Sequence, residues 1–190
     1  MTGTPGTGKR IDPFHRPARS SMELLILLLL FLLNGVFSMS EIALVSARKS
    51  RLEADAQRGD ARARAALSLA KDPSRFLSTV QIGITLIGIL TGIYSGENVT
   101  EDLKAVLLRF PAVAPYAHGL AVAGVVIVVT FFSLILGELV PKRIGLSMPE
   151  PIAKLMALPM KMVSIITAPF IWLLTATSNV LLRLLGIKPD

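Results

Sequence analysis

Three stretches of the chain, Glu23 to Ala47, Phe76 to Tyr94 and Gly119 to Leu139, are almost continuously apolar. A spanning helix needs about 20 such residues, so each stretch is predicted to cross a bilayer as a helix. A fourth, Ile152 to Leu185, is as long but is punctuated by Pro159 and Pro169, with Lys154 and Lys161 set between apolar residues. That pattern predicts helices lying along the inner interface, apolar face in lipid and lysines among headgroups, rather than a perpendicular span. Between the first two spans the sequence stays helical and Ala-rich to Gln57, Gly59 is a helix stop and Asp60 the next cap, and Asp72-Pro73 opens another helix. The expected fold is therefore an all-α integral membrane domain. It has three transmembrane helices, a cytoplasmic helical hairpin between the first two, and an interfacial juxtamembrane helical belt after the third.

Polar residues inside the spans are costly and usually face inward, so their spacing reads as geometry. Span one carries Asn34, Ser38 and Glu41; span two carries Ser78, Gln81 and Thr85; span three carries Thr130, Ser133 and Gly137, with Glu138 one step round. Each helix thus has one polar face. Pro141 follows Gly137-Glu138-Leu139-Val140 and cannot donate to the carbonyl four residues back, which predicts a broken or bent helix, a free Gly137 carbonyl and a hinge beside a carboxylate. Discontinuous helices of this kind build cation sites in transporters. The donors are hard oxygens with no His or Cys within the spans, a set suited to magnesium or calcium, or to sodium. Against this, membrane Ser and Thr commonly bond neighbouring backbone, and Lys142 is placed to cap a carboxylate. Gly88, Gly92 and Gly96, at spacing four, predict close helix packing, and Glu97 a solvated outer end.

Composition agrees: 52% of the 190 residues are hydrophobic and the mean hydropathy is +0.62. The net charge of +7 does not indicate nucleic acid, because the basic residues are not interleaved with aromatics. Arg48, Lys49, Arg51, Arg58, Arg62, Arg64, Lys71 and Arg75 all fall between spans one and two, which sets that loop inside. The N-terminus is then outside and the C-terminus cytoplasmic, in a multi-pass protein of the inner (plasma) membrane, although Lys9, Arg10, Arg16 and Arg19 oppose this orientation. Met1 to Ser21, rich in Gly, Thr, Pro and Arg, reads as a disordered tail or an expression remnant. Residues 22–186 form the ion-transport domain and residues 187–190 the start of a linker. No zinc-binding His pair, nucleophile elbow or Ser/His/Asp set is available, so an enzyme is not expected.

The segments Asn34 with Ser38 to Arg48, Gln81-Ile82-Gly83-Ile84-Thr85-Leu86, and Gly137-Glu138-Leu139-Val140-Pro141-Lys142 closely resemble the transmembrane domain of the CorC/cyclin M (CNNM) magnesium transporter family. The resemblance runs from about Met22 to Gly186. It implies a homodimer of three-span protomers in the lipid bilayer, whose usual C-terminal CBS-pair and accessory domains are missing here, so that this fragment has no ATP site. It implies magnesium export, with sodium dependence suggested, and carries the ion site onto Ser38, onto Ser78, Gln81 and Thr85, and onto Gly137 with Glu138. Glu41 is a further candidate ligand and Pro141 the hinge. The expected function is a magnesium transporter working by alternating access, with sodium competing for the same oxygens. The alternative is a magnesium-sensing anchor that regulates a cytoplasmic domain without transport.

Overall fold

A computed structural model describes residues 16–96 and 98–186, and their regular structure is helical throughout. The tail residues 1–15, Glu97 and the linker residues 187–190 lie outside the described residues. The order is α1 (Arg16–Ser46), α2 (Lys49–Gln57), α3 (Ala61–Lys71), α4 (Pro73–Gly96), α5 (Asn98–Leu107), a 3₁₀ turn (Ala114–Tyr116), α6 (Ala117–Leu134), a π-helical turn (Ile135–Leu139), α7 (Val140–Ser147) and α8 (Pro149–Leu184).

Four helical stretches are long and apolar enough to cross a membrane: Met22–Ser46, Pro73–Leu107, Ala114–Ser147 and Pro149–Leu184. The first three cover the expected spans, the first ending one residue short of Ala47. Their apolar side chains point outward, as Leu25, Leu29, Ile93, Ile127 and Phe131 do, each more than half exposed on the isolated chain. In water such a surface would not persist; in a bilayer it faces lipid.

The buried core gathers at one end. There Phe37, Ala43 and Leu44 of α1 meet Leu52 of α2, Ala66 and Leu69 of α3, Phe76 and Val80 of α4, and Ile152, Ala157 and Met160 of α8. The two short helices α2 and α3 are the expected hairpin segments, and local chemistry explains them. Gly59 adopts φ +96°, a left-handed conformation that ends α2. Asp60 caps α3, its carboxylate accepting from the N–H groups of Arg62 at 2.9 Å and Ala63 at 3.2 Å. Asp72 does the same for α4, accepting from the Arg75 N–H at 3.1 Å.

Two elements differ from the sequence expectation. Pro159 and Pro169 do not divide the last segment, which is one helix of 36 residues. Membrane helices tolerate internal proline because neighbouring groups and local adjustment absorb the lost bond. Lys154 is not simply a headgroup lysine: its Nζ lies 2.7 Å from Asp55 and 3.3 Å from Asp60, clamping α8 to the hairpin, and Arg51 lies 3.8 Å from Glu150. Beyond this clamp α8 leans along α4. Arg75 and Phe76 face Lys161 and Ser164, whereas Gln81, Thr85 and Ile89 face Ile166, Phe170 and Leu174, so the two helices run in the same direction.

Nor does Pro141 break the third rod. The chain stays helical from Ala117 to Ser147 because the π turn takes up the change, with the Val140 N–H donating to the carbonyl of Ile135, five residues back.

Candidate ion site at the seam of α1 and the π turn

Pro141 has no N–H, which in a regular helix would leave the Gly137 carbonyl without its donor. The structure supplies a donor from another helix. Asn34 Nδ2 donates to Gly137 O at 3.1 Å, across a sequence separation of 103 residues. The expected free carbonyl is therefore capped. The amide orientation follows from chemistry, since only the nitrogen can donate to a carbonyl. Asn34 Oδ1 then points the other way, buried and with no hydrogen-bond partner, the one such atom among the described residues. A buried acceptor without a donor is costly, and a cation is the other species that satisfies it.

Glycine allows this contact. A Cβ on Gly137 would lie 2.9 Å from Asn34 Nδ2 and 3.4 Å from the Phe31 carbonyl, and one on Gly145 would strike Ile42 and come within 2.8 Å of the Met39 carbonyl. Pro141 itself packs on Gly35. Because Asn34 meets Gly137, Gly35 meets Pro141 and Met39 meets Gly145, α1 and the third rod run in the same direction. That is what two spans separated by one intervening span require.

Ser38 lies one turn beyond Asn34 on the same face of α1 and is 1% exposed. Glu41 is half-buried further along. Glu138 follows Gly137 in the π turn, half-exposed, and Lys142 Nζ sits 2.7 Å from its Oε1, so the capping lysine foreseen from the sequence is in place. Nearby hydroxyls serve the backbone: Ser40 donates to the Val36 carbonyl at 2.6 Å and Thr79 to that of Arg75 at 2.9 Å. Among the described residues no three His, Cys, Asp or Glu side chains cluster as metal ligands, which leaves neutral oxygens and single carboxylates as the donors.

The polar stripe of α4 goes elsewhere. Phe76, Val80 and Ile87 are buried, and Gly83 abuts the Phe37 ring of α1, so this stripe is the inward one. Ser78 is half-buried, but Gln81 and Thr85 are exposed and open onto the groove shared with α8, away from the Asn34–Gly137 contact. Thr130 and Ser133 line a third place, a groove of about 310 Å³ with Gly88, Thr91, Gly92 and Ser95. Within one chain a Cβ on Gly88 or Gly92 would meet nothing within 4 Å, so neither is a point of close helix approach there, and Gly96 ends α4. The close glycines are Gly35, Gly83, Gly137 and Gly145. Asn34, seen in the sequence as part of a stripe, gains its central role only through pairing with Gly137. The usable signal was the carbonyl orphaned by Pro141, which needed a buried donor from a neighbouring span.

The family described as "Cyclin M transmembrane N-terminal domain" matches residues 24–190. Among curated proteins, the chain is 52% identical over 166 residues to the UPF0053 protein sll0260 of Synechocystis, covering 87% of this chain and 37% of that protein. It is 34% identical over 170 residues to the UPF0053 protein YhdT of Bacillus subtilis, covering 88% and 36%. To the polyamine export protein of Escherichia coli K12 it is 29% identical over 162 residues, covering 85% and 36%. The chain thus spans little more than a third of the length of these relatives. With four span-length helices, the polar seam and a match over nearly its whole apolar length, this chain belongs to the cyclin M transmembrane domain family.

Proposed function

We propose that this domain exports magnesium, with the ion held at the seam of α1 and the π turn. The observation that carries the reading is the buried Asn34: its amide nitrogen is committed to the Gly137 carbonyl and its oxygen has no donor. Asn34 Oδ1, Ser38 and Glu138 are hard donors of the kind magnesium prefers, and magnesium surrenders water only to several such groups at once. Glu138 supplies charge. When no ion is bound, Lys142 neutralises that carboxylate; a divalent ion displaces the ammonium and takes its place. The π turn and Pro141 act as the hinge between inward- and outward-open states, and sodium, competing for the same oxygens, resets the carrier. Two protomers associate through a face other than the α4–α8 groove, and Gln81 and Thr85, which open onto that groove, are not ligands of the seam. α1, α4 and the α6–α7 rod cross the inner membrane with the hairpin on its cytoplasmic side, and α8 starts on that side and runs outward beside α4.

Relatives of this chain from Escherichia coli and Haemophilus influenzae are named polyamine export proteins. A polyamine carries several ammonium groups and needs a carboxylate for most of them, whereas the seam offers Glu138, already paired, and Glu41. The donors favour a compact metal ion. The deciding experiment is efflux from proteoliposomes loaded with magnesium or with spermidine. Magnesium flux should fall at least about tenfold with Ser38→Ala or Glu138→Ala. Unimpaired flux in both would remove the site, spermidine flux alone would change the cargo, and magnesium-dependent stabilisation without flux would make the domain a sensor.

A further inference from the structure

We infer that the seam between α4 and α8 binds an anionic phospholipid, its phosphate held by Arg75 and Lys161 and an acyl chain lying along the groove beyond. Where α3 ends and α4 begins, a cavity of about 170 Å³ is lined by Ser68, Asp72, Arg75, Lys161 and Ser164. That is room for a phosphate and ordered water, given about 30 Å³ per water. Ser164 is 5% exposed, so its hydroxyl lies at the back of the cavity. Most other cations near this end are committed: Lys154 to Asp55 and Asp60, Lys142 to Glu138, Arg51 to Glu150. Among the described residues neither Arg75 nor Lys161 has an ion-pair partner. Asp72, the facing acid, accepts the Arg75 backbone N–H and caps α4. The lining therefore carries one net positive charge, matched to a phosphodiester.

The same seam continues as a groove of about 650 Å³. Its walls are chiefly apolar, with Ile82, Leu86, Ile166 and Phe170, and Gln81, Thr85 and Thr167 are its polar side chains. Ile165 lines the cavity and the next residue, Ile166, lines the groove, so the two spaces adjoin along α8. A cationic cavity opening into an apolar channel matches a lipid, head at one end and chain along the other, and not a free anion, which has no use for the groove. Basic pockets between helices on the cytoplasmic side are known to recognise anionic headgroups. The basic residues between α1 and α4 put this end of the molecule on that side.

Native mass spectrometry of the delipidated protein, titrated with phosphatidylglycerol or phosphatidylcholine of the same chains, tests this assignment. Each basic group near an anionic headgroup is worth roughly fivefold in affinity, so phosphatidylglycerol should be preferred by roughly 25-fold. The double variant Arg75→Ala/Lys161→Ala should lose that preference and Arg75→Lys/Lys161→Arg should keep it. Equal binding of both lipids, or a preference unchanged in the double alanine variant, overturns the inference. So does complete displacement of phosphatidylglycerol by millimolar inorganic phosphate, which would mark a free-anion site. Ready disulfide formation between protomers by Ile89→Cys and Ile166→Cys in anionic bilayers would also overturn it, because a second copy would then fill the groove.

Discussion

Asn34 and Gly137 make the most consequential contact in the molecule, and it exists because one proline withholds one N–H. Replacing Asn34 by Ala leaves the Gly137 carbonyl buried without a donor, which should cost about 1–3 kcal/mol in detergent unfolding and lower magnesium flux about tenfold. Loss of stability with flux intact would assign the residue to folding alone. Gly145→Ala would push a methyl onto the Met39 carbonyl and Ile42, and overpacking of this kind costs about 1–3 kcal/mol. Gly88→Ala, with nothing nearby, should change stability by less than about 0.5 kcal/mol. The sequence made the chemistry of these residues visible, since oxygens and glycines stand out in apolar runs. It did not show which of them meet. A spacing of four suggested Gly88 and Gly92 as packing points, whereas close approach is decided by what stands opposite, and that depends on pairing between residues a hundred positions apart.

At the level of elements, the legible features were those with local causes. The apolar runs gave α1, α4 and the third rod, and Gly59, Asp60 and Asp72 marked the limits of the short helices through their own backbone preferences and side-chain bonds. The continuity of α8 and the π turn was not legible, because proline's local penalty points toward a break and only the surrounding helices reverse it. The clamp of α8 onto the hairpin has a measurable acid dependence. Asp60 has its carboxyl held below the ordinary value of 3.8, first by the Ala63 N–H, with burial next in size and opposing it, and with Arg62 and Lys154 tipping the balance downward. A carboxyl lowered in the folded state stabilises the fold above its unfolded value, and this contribution is lost as pH falls through the folded value. The unfolding temperature of the wild type should therefore drop below about pH 4 more steeply than that of Asp60→Asn. Parallel curves would show that the cap does not titrate with folding. Lys154→Ala, which removes a partly exposed ion pair, should destabilise by at most about 1 kcal/mol at neutral pH.

For the whole molecule, the directions of the rods constrain topology. α1 and α6–α7 descend together and α4 returns between them, so the basic hairpin, Lys142–Arg143 and the clamped start of α8 share one side. The chain has no cysteine, so single cysteines report accessibility cleanly. Ala61→Cys in the hairpin should react with a membrane-impermeant thiol reagent only from the cytoplasmic side, whereas Gly186→Cys, at the far end of a helix that runs outward beside α4, should react from the opposite side. Labelling of residue 186 from the cytoplasm would lay α8 along the interface instead. The π turn bears on this architecture as a spare residue wound into the rod. One surplus residue rotates all that follows by about 100° relative to a regular helix. Pro141 and Gly145 thus owe their alignment on α1 to slack stored at Ile135–Leu139. Deleting Leu136 would take up that slack and swing both residues off their neighbours, in a chain that still inserts into the bilayer. Such a deletion should abolish transport; if the ion still moves at the normal rate, the slack has no part in the cycle.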